Sequence, residues 1–171
     1  MSPTRADRRG QPVVTSAATG DPRSRLFLHA GQVFATASPT RISTVLGSCV
    51  AVCAWDPARG IGGINHFLLP HWVDSGMSSP RFGNVAVRLL VDELIDLGAD
   101  VNGLRCKVFG GAHMMAGSEG REAGLGKDNV DVARKALGEL GIPITAQDIG
   151  GRDGRKLIFH TDDGAAWVKK L

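Results

Sequence analysis

The sequence predicts a single α+β domain, a layered sandwich in which two main helices pack on mixed sheets. Three observations predict it. Most apolar segments are short, rich in β-branched residues and bounded by Gly-, Asp- or Pro-containing turns, the pattern of strands. Only two segments take up helical spacing, and each lies between blocks of strands, an order that favours segregated layers over a regular βαβ alternation. With 171 residues, 43% of them hydrophobic and 22% charged, the chain is long and apolar enough to bury one substantial core.

Taken in order, Met1–Arg25 is rich in Arg, Ser, Thr, Gly and Pro and too poor in apolar residues to fold, so it reads as a flexible tail. The domain is expected from Leu26 to the C-terminus. Leu26–Ala37 opens it, with Phe27, Val33 and Phe34 as core candidates, and Arg41–Leu46 is a strand. Cys49–Trp55 and Ile61–Leu69 flank Asp56-Pro57-Ala58-Arg59-Gly60, a strong turn signal, and form the arms of a β-hairpin. His71–Pro80 is a polar surface loop. From Phe82 the period changes, and Val85, Ala86, Leu89, Leu90, Leu94 and Leu97 follow helical spacing until Gly98.

Arg105–Phe109 is a short buried strand that runs into a glycine-punctuated loop, Gly110–Gly126. A second helix follows, with Asp128 as its expected N-cap and Val130, Ala133, Leu137 and Leu140 on its buried side. Ile144–Ile149 and Lys156–Thr161 are strands, expected to be joined as a hairpin through Gly150–Arg155. Ala165–Val168 is the last strand.

Charge and cysteine content exclude several function classes. The net charge is +3, but Met1–Arg25 holds five arginines and two aspartates, and the remaining residues carry fifteen basic and fifteen acidic groups. A neutral body gives little support for a nucleic-acid surface. No run of about 18 apolar residues would span a membrane, and the N-terminus lacks an apolar signal core, so a cytoplasmic protein without membrane insertion is expected. Three cysteines (Cys49, Cys53 and Cys106) make no disulfide framework. Cys49 and Cys53 have three residues between them, not the usual two of a zinc knuckle, and no second knuckle accompanies them. Gly120–Asp128 fails as a phosphate loop, because Arg121 stands where the first glycine belongs and Asp128 replaces the Ser/Thr that would hold magnesium.

The chemistry concentrates at the hairpin. If the turn is centred on Ala58, Cys49 falls opposite Phe67, and a shift of one residue sets it beside His66. A thiol beside an imidazole, just after the flexible Gly47-Ser48 pair, is the arrangement thiol catalysis requires: the imidazole lowers the thiol pKa and later protonates the leaving group. Backbone N–H groups around Gly47 and Ser48 could face a developing oxyanion. Ser43, Thr44 and Asn65 are candidates for orienting the imidazole. His113 lies in the glycine loop and reads more readily as a solvated side chain than as the base. Cys53 and Cys106 sit inside strands and read as structural.

At these residues the chain resembles the chemoreceptor glutamine deamidase family, CheD. The resemblance is carried by Leu46-Gly47-Ser48-Cys49-Val50-Ala51-Val52, Asp56-Pro57, and Gly63-x-x-His66-x-x-Leu69-Pro70. Lys107-Val108-Phe109-Gly110-Gly111-Ala112, Gly126-Lys127-Asp128-Asn129 and Gly150-Gly151-x-x-Gly154-Arg155-Lys156 extend it from about Leu26 to the C-terminus.

The resemblance implies an α/β/β sandwich related to bacterial toxin deamidases, and a cysteine hydrolase that converts receptor glutamines to glutamates through a thioester, with no metal or organic cofactor. It implies Cys49 as nucleophile, His66 as base, and a hydroxyl six residues before the cysteine, where Ser43 stands with Thr44 beside it. The methyl-accepting chemotaxis receptors would be the substrates, met by the loops His71–Pro80 and Gly110–Gly126, with Phe109, Gly110, Gly111 and His113 as candidate contacts. A CheC-type phosphatase is a further possible partner. Two other functions fit the same residues: a cysteine amidase acting on another substrate, and a non-catalytic adaptor for such a phosphatase.

Overall fold

A computed structural model describes residues 20–73, 76–113 and 124–171. Among them nine strands form two sheets. β1 (Ser24–Phe27), β3 (Thr40–Leu46), β8 (Arg155–His160) and β9 (Ala166–Lys170) make a four-stranded sheet in the order β1-β3-β8-β9. β2 (Val33–Thr36), β5 (Ile61–Asn65), β4 (Val50–Asp56), β6 (Arg105–Gly110) and β7 (Ile144–Ile149) make a five-stranded sheet in the order β2-β5-β4-β6-β7. Both are mixed: β1 runs parallel to β3 and β6 parallel to β7, and the other pairs are antiparallel.

The layers follow from which residues each strand buries. Every residue of β4 is buried, because one face meets the helices and the other meets the second sheet. A strand covered on both sides has no polar face, which is why its sequence is a continuous apolar run. Val50, Val52 and Ala54 join α1 (Gly83–Asp96) and α2 (Leu125–Glu139) in one core, through Ala86, Val87, Leu90 and Leu94 of α1 and Val130, Ala133 and Leu137 of α2. Ala51, Cys53 and Trp55 point the other way, into a second core with Leu26, Ile42, Leu46, Leu157 and Phe159 of the four-stranded sheet. The result is an α/β/β sandwich. In β3 burial alternates, with Thr40, Ile42, Thr44 and Leu46 facing inward, since its other face carries no further layer.

Three expectations are corrected. Asp128 does not cap α2: the helix begins at Leu125 after Gly124, and Asp128 sits in its first turn with its N–H donating to the Gly124 carbonyl at 2.9 Å. A carboxylate there still favours the positive end of the helix. Gly150–Gly154 is not a hairpin loop, because β7 and β8 belong to different sheets. Gly150 and Gly151 take φ of 72° and 70°, and Arg155 donates to Asp148 and to the Gly150 carbonyl, so the chain is turned out of one sheet and into the other. Finally, β1 begins at Ser24, two residues before the expected start of the domain. The Arg23 side chain is held there by both carboxylate oxygens of Asp162, at 2.8 and 3.0 Å. The rest of the stretch read as a tail, residues 1–19, lies outside the described residues.

Candidate active site

The hairpin sets the site. β4 and β5 pair with Asp56 opposite Ile61 and Cys53 opposite Ile64, and Val50 pairs with Phe67 in the same register through hydrogen bonds of 3.1 and 3.0 Å. The turn therefore has four residues, Pro57–Gly60, and is centred between Ala58 and Arg59. This corrects the expected register: Cys49 lies opposite Leu68, and His66 opposite Ala51. The shift matters because side chains alternate between faces. Centred on Ala58, the turn would have put thiol and imidazole on opposite faces; here they share one. They are diagonal neighbours, a relation that separates backbones by roughly 7–8 Å and that an imidazole can span.

The strand is reshaped at His66. One residue earlier, Asn65 turns its side chain into the ladder and accepts from the Val52 N–H at 2.9 Å. The His66 backbone pairs instead with the segment before β2, donating to the Gln32 carbonyl at 3.1 Å and accepting from Gly31 at 2.7 Å. Asn65 thus faces the helices and plays no part in orienting the imidazole.

That part falls to Thr44, across the gap between the sheets. Its Oγ1 lies 2.8 Å from His66 Nδ1 and 2.7 Å from the Leu28 carbonyl oxygen. A hydroxyl has one proton, and a carbonyl can only accept, so that proton goes to Leu28. Thr44 must then accept from His66, which fixes the tautomer with its proton on Nδ1. The lone pair is left on Nε2, which is buried and meets no hydrogen-bonding group among the described residues. Ser43, the other hydroxyl candidate, is on the opposite face of β3 and points away from the imidazole.

The turn before Cys49 is held by three consecutive carbonyls. Gly47 accepts from the Ala112 N–H at 2.9 Å and Cys49 from the Gly111 N–H at 2.8 Å. Between them, Ser48 accepts from the Asn129 side-chain amide at 3.0 Å. Gly110 approaches so closely that a Cβ on it would lie 2.2 Å from the Cys49 carbonyl oxygen, and its φ of 104° suits glycine. Gly110 and Gly111 therefore hold the turn that carries Cys49.

Phe109 is buried opposite Ala51, on the face that carries Cys49 and His66. His113 is exposed and lines a separate cleft with Gly111, Lys127, Val130, Asp131, Arg134, Ile149 and Gly150. Residues 74–75 of the first expected receptor loop and 114–123 of the second lie outside the described residues.

Electrostatics correct one further expectation. Burial pushes the Cys49 thiol above its ordinary value, and the opposing pull of its own backbone N–H does not offset this. Burial, helped by the nearby His29, pushes His66 down to about 4. A desolvated site disfavours both charged forms, so the resting pair is a neutral thiol and a neutral imidazole, not the expected low-pKa thiolate. Cys53 and Cys106 are fully buried in the strands, as their sequence context indicated. Asn129 stood out in the sequence only as part of the Gly126-Lys127-Asp128-Asn129 match, with no place at the site, and the Leu28 carbonyl did not stand out at all. Neither is adjacent to the Cys49–His66 hairpin in sequence, and no periodicity marks a group that reaches across layers.

Fold and site together define a class: a small α/β/β domain with a cysteine and a threonine-oriented histidine on one inner sheet face. Comparison with known proteins gives the family. Residues 68–170 match the family model described as CheD chemotactic sensory transduction, more than half of the chain. A probable chemoreceptor glutamine deamidase CheD 1 of Anaeromyxobacter dehalogenans is 49% identical over 166 residues, covering 97% of this chain and 96% of its own. The CheD protein of Trichlorobacter lovleyi, with the same descriptive name, is 41% identical over 145 residues, covering 85% and 89%. That of Sulfurimonas denitrificans is 37% identical over 143 residues, covering 84% and 92%. The chain belongs to the CheD family. Among the described residues no helix is long and apolar enough to cross a membrane.

Proposed function

We propose that this chain is a cysteine-dependent protein-glutamine deamidase acting on chemotaxis receptors; chemoreceptor glutamine deamidase is the name its relatives carry. The observation that carries the proposal is the Leu28–Thr44–His66 chain of hydrogen bonds, which leaves a bare Nε2 on the face that holds Cys49. A histidine kept only for packing would satisfy both nitrogens or bury a hydrocarbon in their place.

In the reaction, Nε2 takes the Cys49 proton as sulfur adds to the glutamine carboxamide carbon, so a thiol raised by burial need ionise only at the moment of attack. The tetrahedral oxyanion is met by the Cys49 N–H, for which no acceptor beyond its own sulfur is found among the described residues. The imidazolium gives its proton to the departing nitrogen, the C–N bond breaks, and ammonia leaves a thioester. Nε2 then takes a proton from water, whose oxygen attacks the thioester carbon. The C–S bond breaks, the proton returns to sulfur, and the product is glutamate with Cys49 regenerated. Thr44 holds the ring in place throughout and offsets the cost of the transient imidazolium.

The test is mass analysis of receptor peptides after incubation with the wild type and with Cys49→Ala. Conversion of glutamine to glutamate by the wild type alone is expected. Equal conversion by Cys49→Ala would overturn the proposal.

A further inference from the structure

We propose that Asn129 is a positioning residue for this reaction, an inference that rests on the cysteine-deamidase reading above. Its side-chain amide donates one proton to the Ser48 carbonyl and the other to the Leu68 carbonyl, both at 3.0 Å. These are the residue immediately before Cys49 and the residue opposite it in the hairpin register. One side chain from α2 thus grips both strands at the level of the nucleophile.

The consequence is directional. A trans peptide holds its C=O and N–H on opposite sides. With the Ser48 carbonyl drawn towards α2, the N–H of the same peptide, which belongs to Cys49, is turned away from the helices. This is the donor assigned to the oxyanion. The neighbouring carbonyls of Gly47 and Cys49 are held by backbone groups of the Gly110–Ala112 segment; the Ser48 carbonyl is the one held by a side chain.

The amide of Asn129 satisfies two carbonyls, but its own oxygen does not share in the gain. Asn129 is fully buried, and its Oδ1 meets no donor among the described residues, a state that costs free energy in a packed interior. The helix is anchored without it, through Val130, Ala133, Ala136 and Leu137 in the shared core. What the residue contributes is two donors aimed at two carbonyls beside the thiol.

The experiment compares wild type, Asn129→Ala, Asn129→Asp and Cys49→Ala in steady-state receptor deamidation, alongside alkylation of Cys49 by iodoacetamide and thermal melts. Asn129→Asp keeps the shape but turns acceptors towards the two carbonyls. Both Asn129 variants should lose kcat by about 10–100-fold, a fraction of the loss seen when an oxyanion donor is deleted outright. KM and the alkylation rate should stay within a few-fold of wild type, because alkylation needs the thiol but no oxyanion donor. Unchanged kcat in either variant would overturn the inference, as would equal losses of kcat and alkylation. Unfolding of both variants would also contradict it, since it would assign the amide to holding the helix. Turnover by Cys49→Ala would instead defeat the underlying deamidase reading.

Discussion

His66 is buried as a neutral ring, and this has a measurable cost in acid. Its folded pKa of about 4 lies below the ordinary 6.5, so the unfolded state takes up a proton first as pH falls. Above 6.5 neither state is protonated there and the residue has no effect on pH dependence. Between about 6.5 and 4 stability is lost progressively, and below 4 the loss is complete, on the order of 3 kcal/mol from this group. Urea melts across that window should therefore show a shallower acid decline in His66→Gln than in wild type, while His160, whose burial also lowers its pKa, acts equally in both. Parallel declines would mean that His66 titrates near its usual value. The two adjacent hydroxyls make a second contrast. Thr44→Val removes the acceptor of the Nδ1 proton and should cut receptor deamidation by roughly 10–100-fold, the loss typical of removing a group that orients a functional histidine and smaller than the loss of the base itself. Thr44→Ser should restore much of it. Ser43→Ala lies on the far face of the strand and should change the rate less than about twofold, within the usual range for a site away from the machinery.

At the scale of elements, the Gly110–Ala112 segment and the Gly47–Cys49 turn are bonded into one unit. Gly110→Ala would bring a Cβ within 2.2 Å of the Cys49 carbonyl and force a left-handed backbone on a residue that resists it. The variant should melt lower by several degrees and lose most deamidation, with Cys49 alkylation altered as well; wild-type kinetics would show that the turn tolerates displacement. In the sequence Gly110–Gly126 reads as a loop, whereas Gly110 ends β6 and Gly126 lies in α2, and the clamp on Cys49 was not legible. Element types were legible where the pattern was long: the helical spacing from Phe82 and the apolar run of β4 each matched what formed. The register was not, because a four-residue and a five-residue turn both satisfy Asp56–Gly60, and one residue reverses the face. Nor was the path after β7. Consecutive glycines signal a turn without saying whether the chain re-enters the same sheet.

At the scale of the molecule, the site exists because two sheets close on each other. Cys49 and His66 belong to the five-stranded layer, Thr44 to the four-stranded one, and Asn129 to the helical layer on the opposite side. The sequence showed the cysteine and the histidine on one hairpin, since their spacing along the chain is local. It left Ser43, Thr44 and Asn65 as alternatives, because choosing among them needs the distance between layers. The chemistry at that junction rests on which imidazole nitrogen carries the proton, and 15N NMR of histidine-labelled protein at neutral pH reads this directly. For wild type we expect His66 as the neutral tautomer protonated at Nδ1 with a bare Nε2, and loss of that preference in Thr44→Val. A proton on Nε2, or an imidazolium at neutral pH, would contradict it.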